Sequence, residues 1–590
     1  METVTTSTSS SSLVRVKWNT LEHNGVAFPP EYQPRGISIV IHNEKLMLNR
    51  DQEELVHAWA KKKDTHYIHD PIFQENFLAD FKKLLPEKFK KVDSIQDIDF
   101  SEAFRLIDQE KKIRDEEIQK IRSLAREEKK RISLKKRVER EKLKATYGKA
   151  IVDGVEVDIA NWLVEPPGLF MGRGQHPLRG KWKPRVIPQD VTLNLGENAP
   201  VPEGTWQKIV HDHSSTWLAT WMEKLTGKRK YVWLHDSATI RQSNDKEKYD
   251  KAKKLEKQIR KVQKEIINRM LNSQNINQKK IATVCYLIFK LAMRVGDEKD
   301  PEEADTAGAS TLRVEHIKFP QQDSKTFIEF NFLGKDSVPW QKTLEVNSKD
   351  TRSLYENLLF FMKGKQIGSQ IFDGITSEKV NTFLRSIDPK NVPGLTAKVF
   401  RTYIATKTVK EALLNPPISV YRNSSEIEKI YVAKMANLRA AMTCNHKKGV
   451  DPKNPASKRT LEKFETSIKK KQEAIESLNS QLEAKNWRTK LQKKRLEEKL
   501  DKLNIQLKLQ KETRDYNLGT TLKNYIDPRV MAAWLRYIDL DPKKVYTSTL
   551  QRKFKWIEGY SERELKEFYY PAVRENQDEG IKVVEEESSK

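Results

Sequence analysis

Cysteine is almost absent from this 590-residue chain: Cys285 and Cys444 are the only two, each inside an apolar or helical stretch. That excludes a disulfide scaffold and fits a reducing compartment. Long apolar runs are missing as well. No stretch approaches the ~20 apolar residues that a membrane span needs, and the N-terminus lacks a signal peptide's apolar core. Familiar catalytic signatures are equally scarce. There is no GxxxxGK[ST] phosphate loop, because Glu329 stands where Gly334–Lys335 would need the first glycine. Neither HExxH nor a paired CxxC occurs, so a zinc site has no sequence support. The acidic run Asp297, Glu298, Asp300, Glu302, Glu303 and Asp305 includes Pro301 and has no second acidic cluster to complete a two-metal clamp. We read it as a polar loop.

What is abundant is positive charge. Lysine and arginine number 109 against 83 acids, a formal charge of +26. An excess of that size implies a polyanionic partner, either nucleic acid or an acidic membrane surface. Twelve tryptophans argue against a disordered basic protein. The length suffices for two to four domains with separate cores.

Residues 1–13 read as a disordered Ser/Thr-rich tail, and a folded unit starts near Val14. Residues 101–146 form a long charged helical stretch in which Phe104, Ile107, Ile113, Ile118, Ile121 and Leu124 recur at three- to five-residue steps. A solvated amphipathic helix pair is the first reading. The second is a basic surface near DNA, or an import signal in KKRISLKKR, residues 129–137. Residues 160–240 look like strands and loops. A helical period returns over 246–290, FIEFNFL at 327–333 is strand-like, and helices follow to about His446. Over 455–513, Leu461, Phe464, Ile468, Ile475, Leu478 and Leu482 make one heptad seam and Leu496, Leu500, Leu503 and Leu507 a second, with a break near Asn486 and Trp487. That pattern predicts an antiparallel helical hairpin with lysine-rich outer faces; a generic dimerisation coiled coil is equally legible. A compact unit at 515–572 and an acidic tail at 573–590 close the chain.

A basic protein that cuts DNA with neither metal nor nucleotide loop has covalent catalysis by a side-chain hydroxyl as its natural route. Arginine forks can neutralise the extra charge on the non-bridging oxygens. A lysine whose pKa is lowered by neighbouring cations can protonate the leaving 5′-oxygen. Composition cannot choose among 109 cations and 17 tyrosines.

Resemblance can. LAMRVGDEKD with Arg294, FNFLGKDS with Lys335, GLTAKVFRTY with Arg401, CNHKKG with His446 and LGTTLKNYIDPR with Tyr525 resemble, in the expected order, the eukaryotic type IB DNA topoisomerases. EPPGLFMGRGQHP, residues 165–177, is similar to that family's cap segment. The likeness runs from about residue 14 to 570, and GLTAKVFRTY and KNYIDPR are its most specific parts.

The resemblance implies an α+β, predominantly helical, two-lobed DNA clamp. Its parts would be a mixed cap lobe (14–212), a helical catalytic lobe (213–450), a coiled-coil linker hairpin (451–514) and a small helical C-terminal domain (515–572). By the same resemblance, Tyr525 attacks a backbone phosphate and becomes linked to the 3′ end. Arg294 and Arg401 clamp the non-bridging oxygens, His446 donates a further hydrogen bond, and Lys335 is general acid to the leaving oxygen. The phenol would thus be ringed by four cationic or protonated side chains. Arg173, Asp336, Asn524 and Lys398 are implied DNA contacts, and Phe170, Arg173, Asp336 and Asn524 match positions that contact camptothecin-type inhibitors. Lys398 stands where tyrosine recombinases usually carry histidine, which favours topoisomerase over recombinase. The implied enzyme relaxes positive and negative supercoils as a nuclear monomer, without metal, ATP or other cofactor. Its partners would be double-stranded DNA and the replication and transcription machinery, with no membrane. Family members usually carry a long charged N-terminal extension, so a tail of about a dozen residues leaves import to an internal signal such as 129–137.

Overall fold

The computed structural model describes residues 16–569 apart from 125, 173–174, 298–305, 450–454, 486 and 488. The expected tails at 1–13 and 573–590, Arg173, and the acidic run from Glu298 onward lie outside the described residues. The chain is about 54% helical with 14% strand, an α+β protein in which helix predominates. It divides into two compact units, one of residues 1–172 and 177–242, the other of 173–176 and 243–590.

The first unit combines small sheets with paired helices around two cores. Helix Arg50–Ala60 starts at a reciprocal cap between Asn49 and Gln52. It buries Leu55, Val56, Trp59 and Ala60 on one face. Helix Pro71–Leu84 presents Phe73, Phe77 and Phe81 at four-residue steps, and Trp59 stacks on Phe77 with ring centroids 4.3 Å apart. The charged stretch forms helices Ser101–Ser123 and Arg126–Tyr147. Among the described residues, the start of the first reaches the core through Ala103 and Ile107, while Ile113, Ile118, Leu134 and Leu143 are exposed. That is the solvated pair the spacing predicts.

In the second unit, helix Ile276–Leu291 is buried nearly all round, from Ala282 to Ile288 without a break, so it forms the centre of the larger core. Strands Lys325–Gly334 and Val338–Glu345 pair as a hairpin, with Gly334 opposite Val338 and Lys335–Ser337 as its tip. Alternation turns Ile328, Phe330 and Phe332 inward and Leu333 outward. A second core gathers helices Ala397–Leu414, Glu426–Thr443 and Pro528–Tyr537, with Trp534 fully buried.

Helices Pro455–Glu483 and Lys490–Glu512 lie against each other, with Lys471 Nζ donating to Gln510 Oε1 at 2.6 Å. The heptad seam is less buried than its spacing implies: Leu478 is covered, but Leu461 is 42% exposed. With Lys471 opposite Gln510, the position facing Leu461 falls beyond Glu512, where the second helix has ended.

One close approach fixes the loop that carries Arg294. Gly296 has φ +92° and its backbone lies so near Gly308 that an added Cβ would sit 2.7 Å from the Gly308 Cα. Ala309 N donates to the Arg294 carbonyl and Ser310 N to that of Val295, each at 2.8 Å. Gly296→Ala therefore meets both a disfavoured φ and a backbone clash. It should cost about 1–3 kcal/mol or more, read as a lowered urea midpoint; an unchanged midpoint would show that the loop relaxes freely.

Candidate active site

Two helix C-termini converge on one arginine. Helix Ile276–Leu291 ends at Ala292, whose left-handed backbone (φ 54°) breaks the helix. Helix Glu426–Thr443 ends at Cys444, followed by Asn445 in the left-handed region (φ 52°), which asparagine tolerates better than most residues. Arg401, in the second turn of helix Ala397–Leu414, is 4% exposed. Its Nη1 donates to the Ala292 carbonyl at 2.8 Å and its Nη2 to the Cys444 carbonyl at 3.1 Å. Lys342 reaches the same two ends, its Nζ donating to the carbonyls of Leu291 (3.1 Å) and Thr443 (3.3 Å). Burial, and then Arg401, lower the Lys342 pKa. Among the described residues no carboxylate forms an ion pair with Arg401 or Lys342; the partial negative charge of the helix ends holds both.

Around this base stand an imidazole and a phenol. His446 is buried, with Nε2 3.3 Å from Arg401 Nη2 and Nδ1 2.7 Å from Thr521 Oγ1. Tyr525 caps helix Leu518–Asn524 and is half-buried. Its ring lies 5.2 Å from the Arg401 guanidinium and 4.9 Å from the His446 ring. Thr406, five residues after Arg401, donates its hydroxyl to the Tyr525 carbonyl at 3.3 Å and accepts from Asp527 N at 3.0 Å.

Arg294, three residues past Leu291, is partly buried, and Lys335 is exposed at the hairpin tip. Both line one narrow crevice with Arg401, Cys444 and Asn445. Asn445 Nδ2 donates to the Pro339 carbonyl at 3.1 Å, tying the hairpin tip to the segment that carries His446. All five expected catalytic residues thus belong to one unit: Arg294, Lys335 and Arg401 share the crevice, and His446 and Tyr525 pack on Arg401.

The expected DNA contacts are less gathered. Lys398 is exposed in the first turn of the Arg401 helix, and Asn524 ends the helix before Tyr525, with Nδ2 donating to the Thr520 carbonyl at 3.2 Å. Asp336 lies in the hairpin tip, and its side chain is outside the described residues, as is all of Arg173. Phe170 is half-buried in the first unit, its backbone paired with Lys181.

Lys342, Thr521, Thr406 and Asn445 escaped the sequence reading. Lys342 had a signal: it follows Val338 and Trp340 on the inward face of its strand, an unusual place for a lysine. Thr521 stands one helical turn before Tyr525, but nothing in a single sequence pairs it with His446.

The charge balance departs from expectation at His446. Burial first, then the charges of Arg401 and Arg294, lower its pKa to about 3, so it is a neutral imidazole at physiological pH rather than a fourth cation. Three cations, an imidazole and a phenol with no acid among them make a site suited to a phosphate. Guanidinium donors can bind its oxygens, and a hydroxyl lies alongside to attack.

Comparison with known proteins gives the family. Residues 16–234 match the family model "Eukaryotic DNA topoisomerase I, DNA binding fragment", 237–482 match "Eukaryotic DNA topoisomerase I, catalytic core", and 497–566 match "C-terminal topoisomerase domain". DNA topoisomerase 1 beta of Arabidopsis thaliana is 36% identical over 92% of this chain and 58% of its own length. DNA topoisomerase 1 of Drosophila melanogaster is 34% identical over 92% and 54%. DNA topoisomerase 1 of Homo sapiens is 32% identical over 92% and 71%. The chain therefore spans little more than half the length of the first two.

The buried imidazole predicts a pH effect on stability. His446 takes its proton near pH 3 in the folded chain but near 6.5 when unfolded. Between those values the unfolded state binds the extra proton, so stability present above about pH 6.5 is lost as the pH falls towards 3. His446→Asn removes this contribution. The gap in urea midpoint between wild type and variant should narrow from pH 7 to pH 4; a constant gap would count against a buried neutral His446.

Proposed function

The chain belongs to the eukaryotic DNA topoisomerase I family, and on that premise we propose that it is a type IB topoisomerase that relaxes positive and negative supercoils without ATP or metal. The observation that carries this reading is the Tyr525 ring packed against the Arg401 guanidinium and the His446 imidazole, beside a crevice lined by Arg294 and Lys335. Tyr525 attacks a backbone phosphorus as its phenolic proton passes to water, and the leaving 5′-oxygen takes a proton from Lys335. The products are a 3′-phosphotyrosyl linkage and a 5′-hydroxyl. Arg294 and Arg401 neutralise the non-bridging oxygens, and His446 adds one hydrogen bond in the transition state. Removing one such donor typically costs on the order of 10²–10³ in rate. The linkage keeps the bond energy, so the same groups run in reverse to reseal the strand.

The wider picture follows the same reading. Residues 14–212 and 213–450 are a cap lobe and a catalytic lobe that close around the duplex, with 451–514 as a coiled-coil linker and 515–572 delivering the nucleophile. Lys398, Asn524, Asp336 and Arg173 contact DNA, and the last three with Phe170 line an inhibitor site. Binding is to phosphates, without sequence readout, and weakens steeply with salt. The enzyme acts as a monomer in the nucleus beside the replication and transcription machinery. A tyrosine recombinase shares the chemistry but needs a defined site.

Supercoiled plasmid lacking any special sequence, incubated in EDTA without ATP, should be relaxed by the wild type and not by Tyr525→Phe, which should still bind. After denaturation and nuclease digestion a nucleotide fragment should remain on residue 525. No relaxation by the wild type, or no fragment, overturns the enzymatic reading. We also assign the lysine-rich helix pair the task of slowing rotation of the nicked DNA. Deleting it while keeping the Tyr525 segment should leave relaxation active but less processive, and total loss of cleavage would refute that role.

A further inference from the structure

Arginine can only donate hydrogen bonds. With Arg401 Nη2 facing His446 Nε2 at 3.3 Å, that nitrogen must present its lone pair, and the single proton of the neutral ring sits on Nδ1. Nδ1 then donates to Thr521 Oγ1 at 2.7 Å, and the threonine hydroxyl passes its own proton to the Asn517 carbonyl over a long 3.4 Å. This arrangement conflicts with the task proposed for His446, because a nitrogen that shows a lone pair cannot donate to a phosphate oxygen.

Adding a second proton would resolve the conflict at high cost. The groups facing the ring are Arg401 from its helix, Arg294 from the loop after helix Ile276–Leu291, and Tyr525, with Cys444 and Lys342 next to Arg401. Two of them are guanidinium cations that oppose an imidazolium, and among the described residues none is a carboxylate. Exchanging the site of the one proton adds no charge. A hydroxyl is the partner that tolerates either form, since it can accept from Nδ1–H or donate to a bare Nδ1. Thr521 is fully buried, and its weak second contact with Asn517 is easily given up. Its carbonyl also accepts from the backbone N–H of Tyr525 at 3.0 Å, so one residue touches both the imidazole and the nucleophile's segment.

We propose that Thr521 is a positioning residue that allows His446 to exchange tautomers. The proton is on Nδ1 while Nε2 faces Arg401, and on Nε2 when a DNA phosphate oxygen becomes the partner there. In the exchange Nε2 takes one proton from water and the proton leaving Nδ1 returns to water, so the ring stays neutral and no net proton is taken up. The threonine hydroxyl rotates from the Asn517 carbonyl to Nδ1. The inference rests on the reading of this site as one that cleaves phosphodiesters.

The test is ring-¹⁵N NMR of the full chain labelled at histidine, with the His446 signals identified by their loss in His446→Asn. Alone, the protein should show the proton on Nδ1. Tyr525→Phe bound to an intact duplex oligonucleotide should show it on Nε2. A doubly protonated ring in the complex, or an unchanged Nδ1–H, would overturn the proposal. Thr521→Val, close in shape, should scatter the DNA-free tautomers and slow single-turnover cleavage roughly tenfold, the scale of one net hydrogen bond, at unchanged duplex affinity. Thr521→Ser should stay within about twofold of wild type. A valine variant with wild-type spectrum and rate also sinks the idea, and the wild-type spectra decide it even if that variant fails to fold. Failure to bind duplex would instead strike the functional reading, while the DNA-free spectra would still report whether Thr521 sets the tautomer.

Discussion

A buried guanidinium without a carboxylate partner is the constraint on which the site depends. Taking a charge out of water is costly unless something replaces the lost hydration. Here the replacement is the carbonyl ends of two helices, each carrying roughly half a negative charge, with Ala292 and Cys444 as the contact points for Arg401. A carboxylate would have held the side chain as well, but it would also have cancelled the charge and occupied the guanidinium fork. Helix ends anchor Arg401 and leave most of its potential to act on a phosphate. Lys342 repeats the device on the neighbouring carbonyls. The residual positive field also accounts, after burial, for the neutral His446.

This arrangement explains why the candidate site residues cluster where elements end. Arg294 and His446 each come three residues after a helix that points at Arg401, Lys335 occupies a hairpin tip, and Tyr525 follows a short helix. Of the five expected catalytic residues, Arg401 alone stands within an α-helix, and its partners come from the two helix ends and His446. Loops are held here by hydrogen-bond satisfaction rather than by bulk: the Gly296–Gly308 approach fixes one, Asn445 and Pro339 another.

Much of this was legible in the sequence, and the exceptions share a cause. The α+β class, the strand at 327–333 and the helix pair at 101–147 could be read because periodicity and turn residues report burial directly. Motifs singled out five expected catalytic residues, and the structure gathers those five into one unit. Lys342, Thr521 and Thr406 were not, because their partners are backbone carbonyls or a side chain distant in sequence, and such partners impose no spacing. The heptad seam overstated burial at Leu461 because a repeat marks which face is apolar, not where the opposing helix stops. The protonation of His446 was misjudged for a related reason: one residue's ionisation depends on its burial and on charges brought in from two other segments.

The segment after Tyr525 shows how a half-buried phenol can be held in register. Arg529 grips Asp527 through Nε and Nη2 and reaches Asp250 through Nη1 at 2.7 Å. Its guanidinium lies 4.2 Å from the centre of the Phe568 ring. A buried network of this kind contributes little net stability compared with apolar packing of the same volume; what it supplies is direction. The grip on Asp527 presents that residue's N–H to Thr406, and the Thr406 hydroxyl in turn holds the Tyr525 carbonyl. Thr406 shares a helix with Arg401, so the backbone of Tyr525 and the guanidinium beside it are fixed to one rigid element. The phenol itself is left out of these bonds, and it can therefore turn without disturbing the backbone frame that carries it.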